Sequence, residues 1–311
     1  MKILVTGANG FIGKRLVEKL SKEHTVYGFS IVEDEVPGAK ELIIGDVVKD
    51  LSGLYRKRFD VVYHLAAILD ESHPDLWSVN VEGTRNMLDF CVNRKISRFI
   101  TLGPIGVLGE TKEPAKEDFP YNATTNYEKS KVEAERLIMN YKLKHQIPYT
   151  ILRSTIVYGP NRFWEQIFKA VKAGYPLIGS GENYFHLVYA DDVVDSLLLA
   201  LDVKAKNQIY HIAGPDPHTY KETYELMANA LGVEVPSNTI PVAVAKARAL
   251  AHETSSKIQG KKPNVTLLRA SIDRLVRNRV VSIEKAKREI GFEPKFTLEK
   301  GMEKTVKELG F

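Results

Sequence analysis

The chain has 311 residues, with 44 Lys and Arg against 39 Asp and Glu, so its formal net charge is +5, and 44% of its residues are hydrophobic. This composition is typical of a globular protein with a core, which excludes an intrinsically disordered chain, a collagen-like repeat and a disulfide-stapled miniprotein. The single cysteine, Cys91, cannot form an internal disulfide, and acidic and basic residues are interspersed. We therefore expect a reducing compartment and no nucleic-acid partner.

No apolar run approaches the roughly 18 residues that a membrane-spanning helix needs. The apolar run after Met1 stops at Thr6-Gly7, which is too short for a signal peptide. The sequence therefore predicts a cytoplasmic protein with no membrane span.

Short apolar runs alternate with longer amphipathic stretches through the first half of the chain. The predicted buried strands are 3–5, 24–29, 42–44, 61–65, 99–102 and 149–152, and the predicted helices are 11–22, 76–94 and 126–145. Strands separated by helices are typical of βαβ units. We predict an α/β fold with a doubly wound parallel sheet of the Rossmann type.

This alternation stops after Gly159-Pro160. The second half has a mixed segment at 176–188, a strand at 208–212 that we expect to return to the main sheet, a Gly- and Pro-bearing segment at 260–265, and helices at 161–174, 191–201, 220–231 and 242–258. We predict a nucleotide-binding domain of residues 1–160 plus about 187–212, and a smaller substrate-binding domain of residues 161–186 and 213–311.

A glycine-rich loop, Gly7-Ala8-Asn9-Gly10-Phe11-Ile12-Gly13, joins the first strand to the first helix. Glycine is needed where the chain turns tightly and where backbone must approach a pyrophosphate without a Cβ in the way. The helix N-terminus then presents free N–H groups and a partial positive charge to the phosphates. The loop therefore predicts a dinucleotide site formed by Gly7, Asn9, Gly10, Phe11, Ile12 and Gly13.

The spacing Gly-x-x-Gly-x-x-Gly after Thr6 resembles the short-chain dehydrogenase/reductase superfamily, in its extended NAD-dependent epimerase/dehydratase branch. Further matches follow in order along nearly the whole chain: Ile44 to Val47, His64 to Ala67, Val79 to Thr84, Leu152 to Ser154, Val157 to Pro160, Tyr189 to Val193 and Gly291 to Pro294. The resemblance implies that NAD or NADP is bound, and it places these further residues at the cofactor: Asp46, Val47, Leu65, Ala66, Ala67, Asn80, Thr101 and Ser154.

The end of the second predicted strand bears on the choice between NAD and NADP. An Asp there would bind the ribose hydroxyls of NAD and repel the 2′-phosphate of NADP. This chain has Ser30 instead, which can hydrogen-bond a hydroxyl or a phosphate, and Glu33, Asp34 and Glu35 follow. We expect Ser30 to contact the cofactor, and the sequence leaves NAD and NADP open.

Tyr127 and Lys131 are four residues apart and so share one face of a predicted helix. A free tyrosine has a pKa of about 10, and a neighbouring ammonium favours the phenolate and lowers that pKa. We expect Tyr127 to be the general acid/base on the alcohol or carbonyl of the substrate. The resemblance implies that Lys131 also hydrogen-bonds the nicotinamide ribose.

The family normally completes this site with a Ser or Thr three residues before a Val-x-Gly. Counting back from Val107 gives Pro104, which has neither a hydroxyl nor an N–H. A substitute hydroxyl from Thr124 or Thr125, substrate-assisted chemistry and loss of the redox step are the alternatives. Because the loss of one oriented donor costs only about 10²–10³ in rate, we favour an active enzyme, with Thr101 facing the cofactor.

The candidate substrate contacts are Pro104, Thr125, Arg162 and Phe185. Phe185 stands where sugar-nucleotide epimerases usually carry a diphosphate-binding Arg, and an aromatic ring suits an apolar substrate better than a phosphate. The stretch 240–251, followed by Lys261-Lys262-Pro263, is similar to 3β-hydroxysteroid dehydrogenases and dihydroflavonol reductases. The competing view takes phosphate ligands from the arginines at 162, 269, 274 and 277, for each of which a solvated surface position is the alternative.

Three functions are compatible with these residues. We favour an NAD(P)-dependent oxidoreductase that acts on a small-molecule secondary alcohol or ketone. The alternatives are an NDP-sugar 4-epimerase or dehydratase, and a dinucleotide-binding protein without turnover. The histidines lack metal-ligand spacing, so no metal is expected. The resemblance implies a homodimer through the long helices at 76–94 and 126–145.

Overall fold

A computed structural model of the protein describes residues 1–260 and 269–311. The predicted landmark Lys261-Lys262-Pro263, and with it most of the 260–265 segment, lies outside the described residues. The strands are β1 Lys2–Thr6, β2 Thr25–Ser30, β3 Glu41–Ile44, β4 Val61–His64, β5 Arg98–Pro104, β6 Thr111–Ala115, β7 Tyr149–Ser154, β8 Ile156–Tyr158, β9 Leu177–Ile178, β10 Tyr184–Phe185, β11 Leu187–Tyr189, β12 Gln208–Ile212, β13 His218–Thr219, β14 Thr239–Ile240 and β15 Arg279–Val281.

The helices are α1 Phe11–Leu20, α2 Ser52–Tyr55, α3 Gly83–Arg94, α4 Asn126–His145, α5 Arg162–Lys172, α6 Ala190–Leu199, α7 Tyr220–Leu231, α8 Val242–Ile258, α9 Arg269–Leu275, α10 Glu284–Ile290 and α11 Leu298–Leu309. The predicted helix at 76–94 is helical throughout, and a π-helical turn, Ser78–Glu82, directly precedes α3 within it. Short 3₁₀ helices occur at Ile105–Leu108 and Val203–Ala205.

Across the described residues, the central sheet has seven strands in the order β12-β7-β5-β4-β1-β2-β3. All neighbouring pairs are parallel, with Val5 opposite Gly28 of β2 and Tyr63 of β4. The order reverses beside β1, so the helices that connect the strands cover both faces. This is a Rossmann-like doubly wound fold, as predicted, and the strand at 208–212 returns to the edge of the sheet beside β7.

Alternation along the buried strands divides the core between the two faces of the sheet. In β1, Ile3 and Val5 belong to the cluster that includes Leu16 of α1, whereas Leu4 belongs to the cluster under α3. Successive strand side chains point to opposite faces, which explains the division. Cys91, on the buried face of α3, is a core residue, and burial raises the pKa of its thiol.

Three smaller sheets lie outside the central one. The four-stranded sheet has the order β13-β10-β15-β6, and β8 pairs with β11 and β9 with β14. β6, from the first half of the chain, pairs in parallel with β15, close to its end. A separate apolar cluster packs α5, α7 and α11 together. The division into residues 1–160 plus about 187–212, and 161–186 plus 213–311, stays a prediction.

Within residues 1–260 and 269–311, no helix combines the length and the apolar composition needed to cross a bilayer.

Candidate active site

The glycine loop between β1 and α1 brings backbone segments too close together for a side chain. Gly7 has φ of +67°, and a Cβ on it would lie 2.8 Å from the amide nitrogen of Ala66. A Cβ on Gly13 would lie 2.1 Å from the carbonyl oxygen of Gly7. Both positions therefore require glycine, as predicted for a loop that admits a pyrophosphate.

The start of α1 carries backbone donors with nothing to bind inside the protein. Gly10 is the N-cap residue and has no capping side chain. Across the described part of the chain, the amides of Phe11, Ile12 and Gly13 have no hydrogen-bond acceptor, and Asn9 lies half-buried beside them. Free amides at a helix N-terminus suit an anion, so this loop fits the pyrophosphate of a dinucleotide.

Ser30 and Asp46, the cofactor contacts predicted after β2 and β3, accept hydrogen bonds from backbone amides of their own turns. The Ser30 hydroxyl accepts a hydrogen bond of 3.1 Å from the Val32 amide. The Asp46 carboxylate accepts one of 2.8 Å from the Val48 amide. The side chain of Val47 is buried in the core, so only its backbone is available to a cofactor.

A buried hydrogen-bond chain joins the ends of three central strands. The His64 ring bonds Thr6 Oγ1 through Nδ1 at 2.9 Å and Thr84 Oγ1 through Nε2 at 3.2 Å. Thr6 Oγ1 also accepts the Ala66 amide, and the Thr101 hydroxyl donates to the His64 carbonyl at 2.8 Å. Burial, together with the charge of nearby Lys131, lowers the pKa of His64 to about 3, so the ring is neutral. Thr101 is therefore engaged with the backbone of β4.

The loop after β4 is fastened to α4 by one asparagine. Leu65 and Ala67 are half-buried at the start of this loop. The Asn80 side chain accepts the Ile68 amide at 2.8 Å and donates to the Ile68 carbonyl at 2.9 Å. It also donates to Ser130 Oγ on α4 at 3.0 Å. Asn80 was predicted as a cofactor contact, and in the structure it fixes the loop against the helix that carries Tyr127.

The N-terminus of α4 is capped by side chains from three parts of the chain. Thr125 is the N-cap residue and accepts the Glu128 amide at 3.2 Å, while the Glu128 carboxylate accepts the Thr125 amide at 3.1 Å. Arg279 of β15 forms a buried ion pair of 2.6 Å with Glu128. Glu71 Oε2, from the loop after β4, accepts the Tyr127 amide at 3.1 Å. The sequence reasoning missed Glu71 and Arg279, since neither belongs to a recognisable motif.

The two proposed substitute hydroxyls also serve the start of this helix. Thr124 Oγ1 donates to the Glu128 carboxylate at 3.0 Å and accepts from Arg277 at 2.5 Å. Thr125 Oγ1 is the acceptor of the N-cap bond. Both hydroxyls therefore have structural partners.

Tyr127 and Lys131 lie one turn apart on α4. Burial raises the pKa of the Tyr127 phenol, and the charges of Glu128 and Glu71 add to this while that of Arg274 opposes it. The expected lowering of the phenol pKa by Lys131 is therefore not seen, because burial outweighs the charge of Arg274, which is the cation that acts on the phenol. Lys131 is 5% exposed, and burial lowers its pKa to about 8 against the opposing effect of Glu135.

Pro104 ends β5, opposite Ser154 of β7 in the register of the sheet. Ser154 Oγ is buried and lies 3.5 Å from the carbonyl oxygen of Gly103. The nearest hydroxyl by register is therefore that of Ser154.

The two remaining predicted substrate contacts, Phe185 and Arg162, differ in their exposure to solvent. The Phe185 ring is buried and stacks at 5.2 Å from the Tyr220 ring, so it has almost no surface to offer a substrate. Arg162 is exposed at the first turn of α5. The site roles of all these residues stay predictions.

A doubly wound parallel sheet with a glycine loop between β1 and α1 defines an α/β protein of the dinucleotide-binding class. The chain belongs to the NAD dependent epimerase/dehydratase family, whose model matches residues 3–213.

Curated relatives of two kinds are similar to nearly the whole chain. A 3beta-hydroxysteroid-dehydrogenase/decarboxylase of Arabidopsis thaliana is 27% identical over 97% of this chain and 78% of the relative. A UDP-glucose 4-epimerase of Vibrio cholerae is 29% identical over 97% of this chain and 94% of the relative. A solved UDP-glucose 4-epimerase of Thermotoga maritima superposes with a TM-score of 0.80 at 23% identity, covering 99% of this chain and 98% of its own. This last similarity confirms the fold.

Proposed function

We propose that the protein is an NAD-dependent oxidoreductase that transfers a hydride to or from a secondary alcohol or ketone, with Tyr127 as the general acid/base. The observation that carries the proposal is the pair Tyr127 and Lys131 on one face of α4. Lys131 is 5% exposed, and burial lowers the pKa of its ammonium. A largely buried ammonium suits a ligand hydroxyl, such as that of the nicotinamide ribose.

The residues that would hold NAD lie along the carboxyl edge of the sheet. The amides of Phe11, Ile12 and Gly13 would bind the pyrophosphate, and Lys131 the nicotinamide ribose. When bound, the cofactor would accept the hydride in its oxidised form and donate it in its reduced form. The carboxylate of Asp34 after β2, although paired with Lys14 at 2.6 Å, favours NAD over the more negative NADP.

Tyr127 would move the proton that accompanies the hydride. In the direction of oxidation its phenolate oxygen takes the proton of the substrate hydroxyl, and in reduction it returns a proton to the carbonyl oxygen. Lys131 carries its charge below about pH 8 and favours the phenolate. Pro104 offers the carbonyl no hydrogen bond, so we expect turnover to be slower than with a Ser at that position.

The variant Tyr127→Phe tests the proposal on a panel of secondary alcohols and ketones with NAD. We expect a loss of about 10²–10⁴ in kcat, with the Kd for NAD unchanged. Tyr55→Phe is the matched control, because Tyr55 lies at the end of α2 and is 44% exposed. Turnover that survives in Tyr127→Phe contradicts the mechanism, and no turnover with any compound supports the non-catalytic alternative.

A second candidate function, an NDP-sugar 4-epimerase, is favoured by the arginines at the start of α4. Arg277 donates to Thr124 there, and no carboxylate of the described residues pairs with Arg277. A guanidinium in this position suits a diphosphate. Titration of the NAD complex with UDP-glucose tests this, with Arg277→Met as the variant. Micromolar binding that is lost in Arg277→Met favours the epimerase, and absence of binding favours the first proposal.

We also propose a cytoplasmic homodimer through α3 and α4. These helices pack on each other, Tyr141 donates to Asp89 at 2.7 Å between them, and Leu143 on α4 is exposed. Light scattering at micromolar concentration tests the state of assembly, with Leu143→Glu as the variant expected to weaken it.

Residues 161–186 and 213–311 are proposed as the part that contacts the substrate.

A further inference from the structure

Glu71 connects the loop after β4 to the first turn of the helix that carries Tyr127. Its Oε2 accepts the Tyr127 amide at 3.1 Å, and that amide is one of the first helical donors, which have no acceptor within the helix. Its Oε1 is buried and has no hydrogen-bond partner among the described residues. One oxygen of this carboxylate therefore has a structural task, while the other has none.

The geometry of a helix places the phenol on the same side as this carboxylate. Every Cα–Cβ bond in an α-helix tilts toward the N-terminus, so the side chain of Tyr127 points back to the turn that Glu71 caps. A carboxylate at the backbone amide of a residue thus lies near the side chain of that residue. The charge of Glu71 raises the pKa of the phenol, with a smaller effect than burial, Arg274 or Glu128.

Other charged groups face the phenol as well. Arg274 does so from α9, Glu128 from the same helix, and Lys131 lies one turn further along. Glu128 forms a 2.6 Å ion pair with Arg279, and its charge still raises the pKa of the phenol. Among the described residues, Glu71 forms no ion pair. Two carboxylates therefore act on the phenol, and Glu71 is the one of them without a cation partner among the described residues.

We propose that Glu71 is a positioning residue for Tyr127: one oxygen fixes the first turn of α4, and the charge of the carboxylate opposes a second negative charge on the phenolate oxygen. The role in turnover rests on the proposed function of Tyr127. A hydrogen bond donated to Oε1 by a hydroxyl of a bound substrate weakens this opposition. The phenol then ionises more readily when the site is filled than when it is empty.

The variants Glu71→Gln and Glu71→Ala separate the charge from the hydrogen bond. Gln keeps an oxygen that can accept the Tyr127 amide but carries no charge, whereas Ala removes both. Glu82→Gln is the matched control, because Glu82 is an exposed carboxylate that pairs with Arg85. The probe is protein in which tyrosine is replaced by 3,5-difluorotyrosine, read by ¹⁹F NMR with NAD bound. The Tyr127 resonance is the one that Tyr127→Phe lacks.

We expect the titration midpoint of Tyr127 to fall by about one pH unit in Glu71→Gln and in Glu71→Ala, and to stay in place in Glu82→Gln. A midpoint in Glu71→Gln equal to that of the wild type overturns the electrostatic part of the proposal. We also expect Glu71→Ala, but not Glu71→Gln, to lower the Tm, and equal Tm values overturn the positioning part. The titration needs no turnover, so it stands whether or not Tyr127→Phe shows the phenol to be catalytic.

Discussion

The ion pair between Glu128 and Arg279 is predicted to be the contact that most strongly holds the tail of the chain to α4. The two side chains are 2% and 8% exposed, and their charged atoms are 2.6 Å apart. A Cβ on Gly106 would lie 2.6 Å from Glu128 Oε1 and 3.0 Å from Arg279 Nη1, so no water fits on that side. The substitution Arg279→Met leaves the Glu128 charge buried with only its amide and hydroxyl donors.

Removal of one partner from a buried ion pair costs about 3–5 kcal/mol, because the other charge is left without compensation. For a protein of this size, that corresponds to a fall of about 5–8 °C in Tm. The exposed pair of Arg85 and Glu82, with side chains 43% and 52% exposed, provides the scale for comparison. Arg85→Met is expected to cost less than about 1 kcal/mol.

The pH dependence adds a second test. Burial tends to raise the pKa of Glu128, but Arg279 and the amides of Thr124 and Thr125 outweigh it and hold the pKa below its usual value. A carboxyl with a lowered folded pKa stabilises the protein above its unfolded pKa of about 4.3, and this contribution is lost as the pH falls. Without Arg279, burial is opposed only by the amide donors, so the variant protonates Glu128 at a higher pH than the wild type does, and its deficit is expected to shrink between pH 7 and pH 4.

Thermal unfolding followed by circular dichroism at pH 7 and pH 4.5 measures these effects. The double variant Glu128→Gln/Arg279→Met is expected to recover part of the loss, because no charge then remains buried alone. A Tm for Arg279→Met within about 1 °C of that for Arg85→Met would refute the reasoning.

Three further substitutions test the site itself. Pro104→Ser places a hydroxyl at the end of β5. Because one oriented hydrogen-bond donor is worth about 10²–10³ in rate, we expect kcat in the alcohol and ketone assay to rise at least about tenfold. An unchanged kcat contradicts this. Lys131→Met removes a buried ammonium whose pKa is lowered to about 8, so we expect the variant to have a higher Tm than the wild type at pH 7. The difference in Tm should fade as the pH rises from about 8 to 10.5. Gly13→Ala forces a Cβ toward the Gly7 carbonyl and should weaken NAD binding by about tenfold or more in calorimetry, and an unchanged Kd would show that the loop can relax.

Periodicity and motif spacing predict the elements of the central sheet well. The strand at 208–212 and the helix at 126–145 agree with the structure to the residue, because each has a strong apolar pattern and clear end signals. The glycine loop is equally predictable, because close backbone contacts leave no room for a Cβ at Gly7 and Gly13. This requirement appears in the sequence as the spacing of the glycines. Short strands such as β6 and β15 were missed, because a few residues that pair only with distant partners carry no local pattern.

The same physical reason limits the prediction of the site. Tyr127 and Lys131 belong to one helix, so their spacing alone places them together. Glu71 and Arg279 contact that helix from a loop and from a remote strand, and no pattern in the residues around them predicts these contacts. Phe185 was assigned to the substrate by its position in a motif, whereas its burial against Tyr220 depends on packing between separate segments.

The cap of α4 has a consequence for the order in which the protein matures during synthesis. Arg279 follows Glu128 by 151 residues, so this cap is completed only after Arg279 has left the ribosome. The strands and glycine loop of the dinucleotide pocket come largely from the first half of the chain. A nascent or clipped polypeptide that ends before Arg279 would therefore acquire nucleotide affinity before it acquires a firmly held Tyr127.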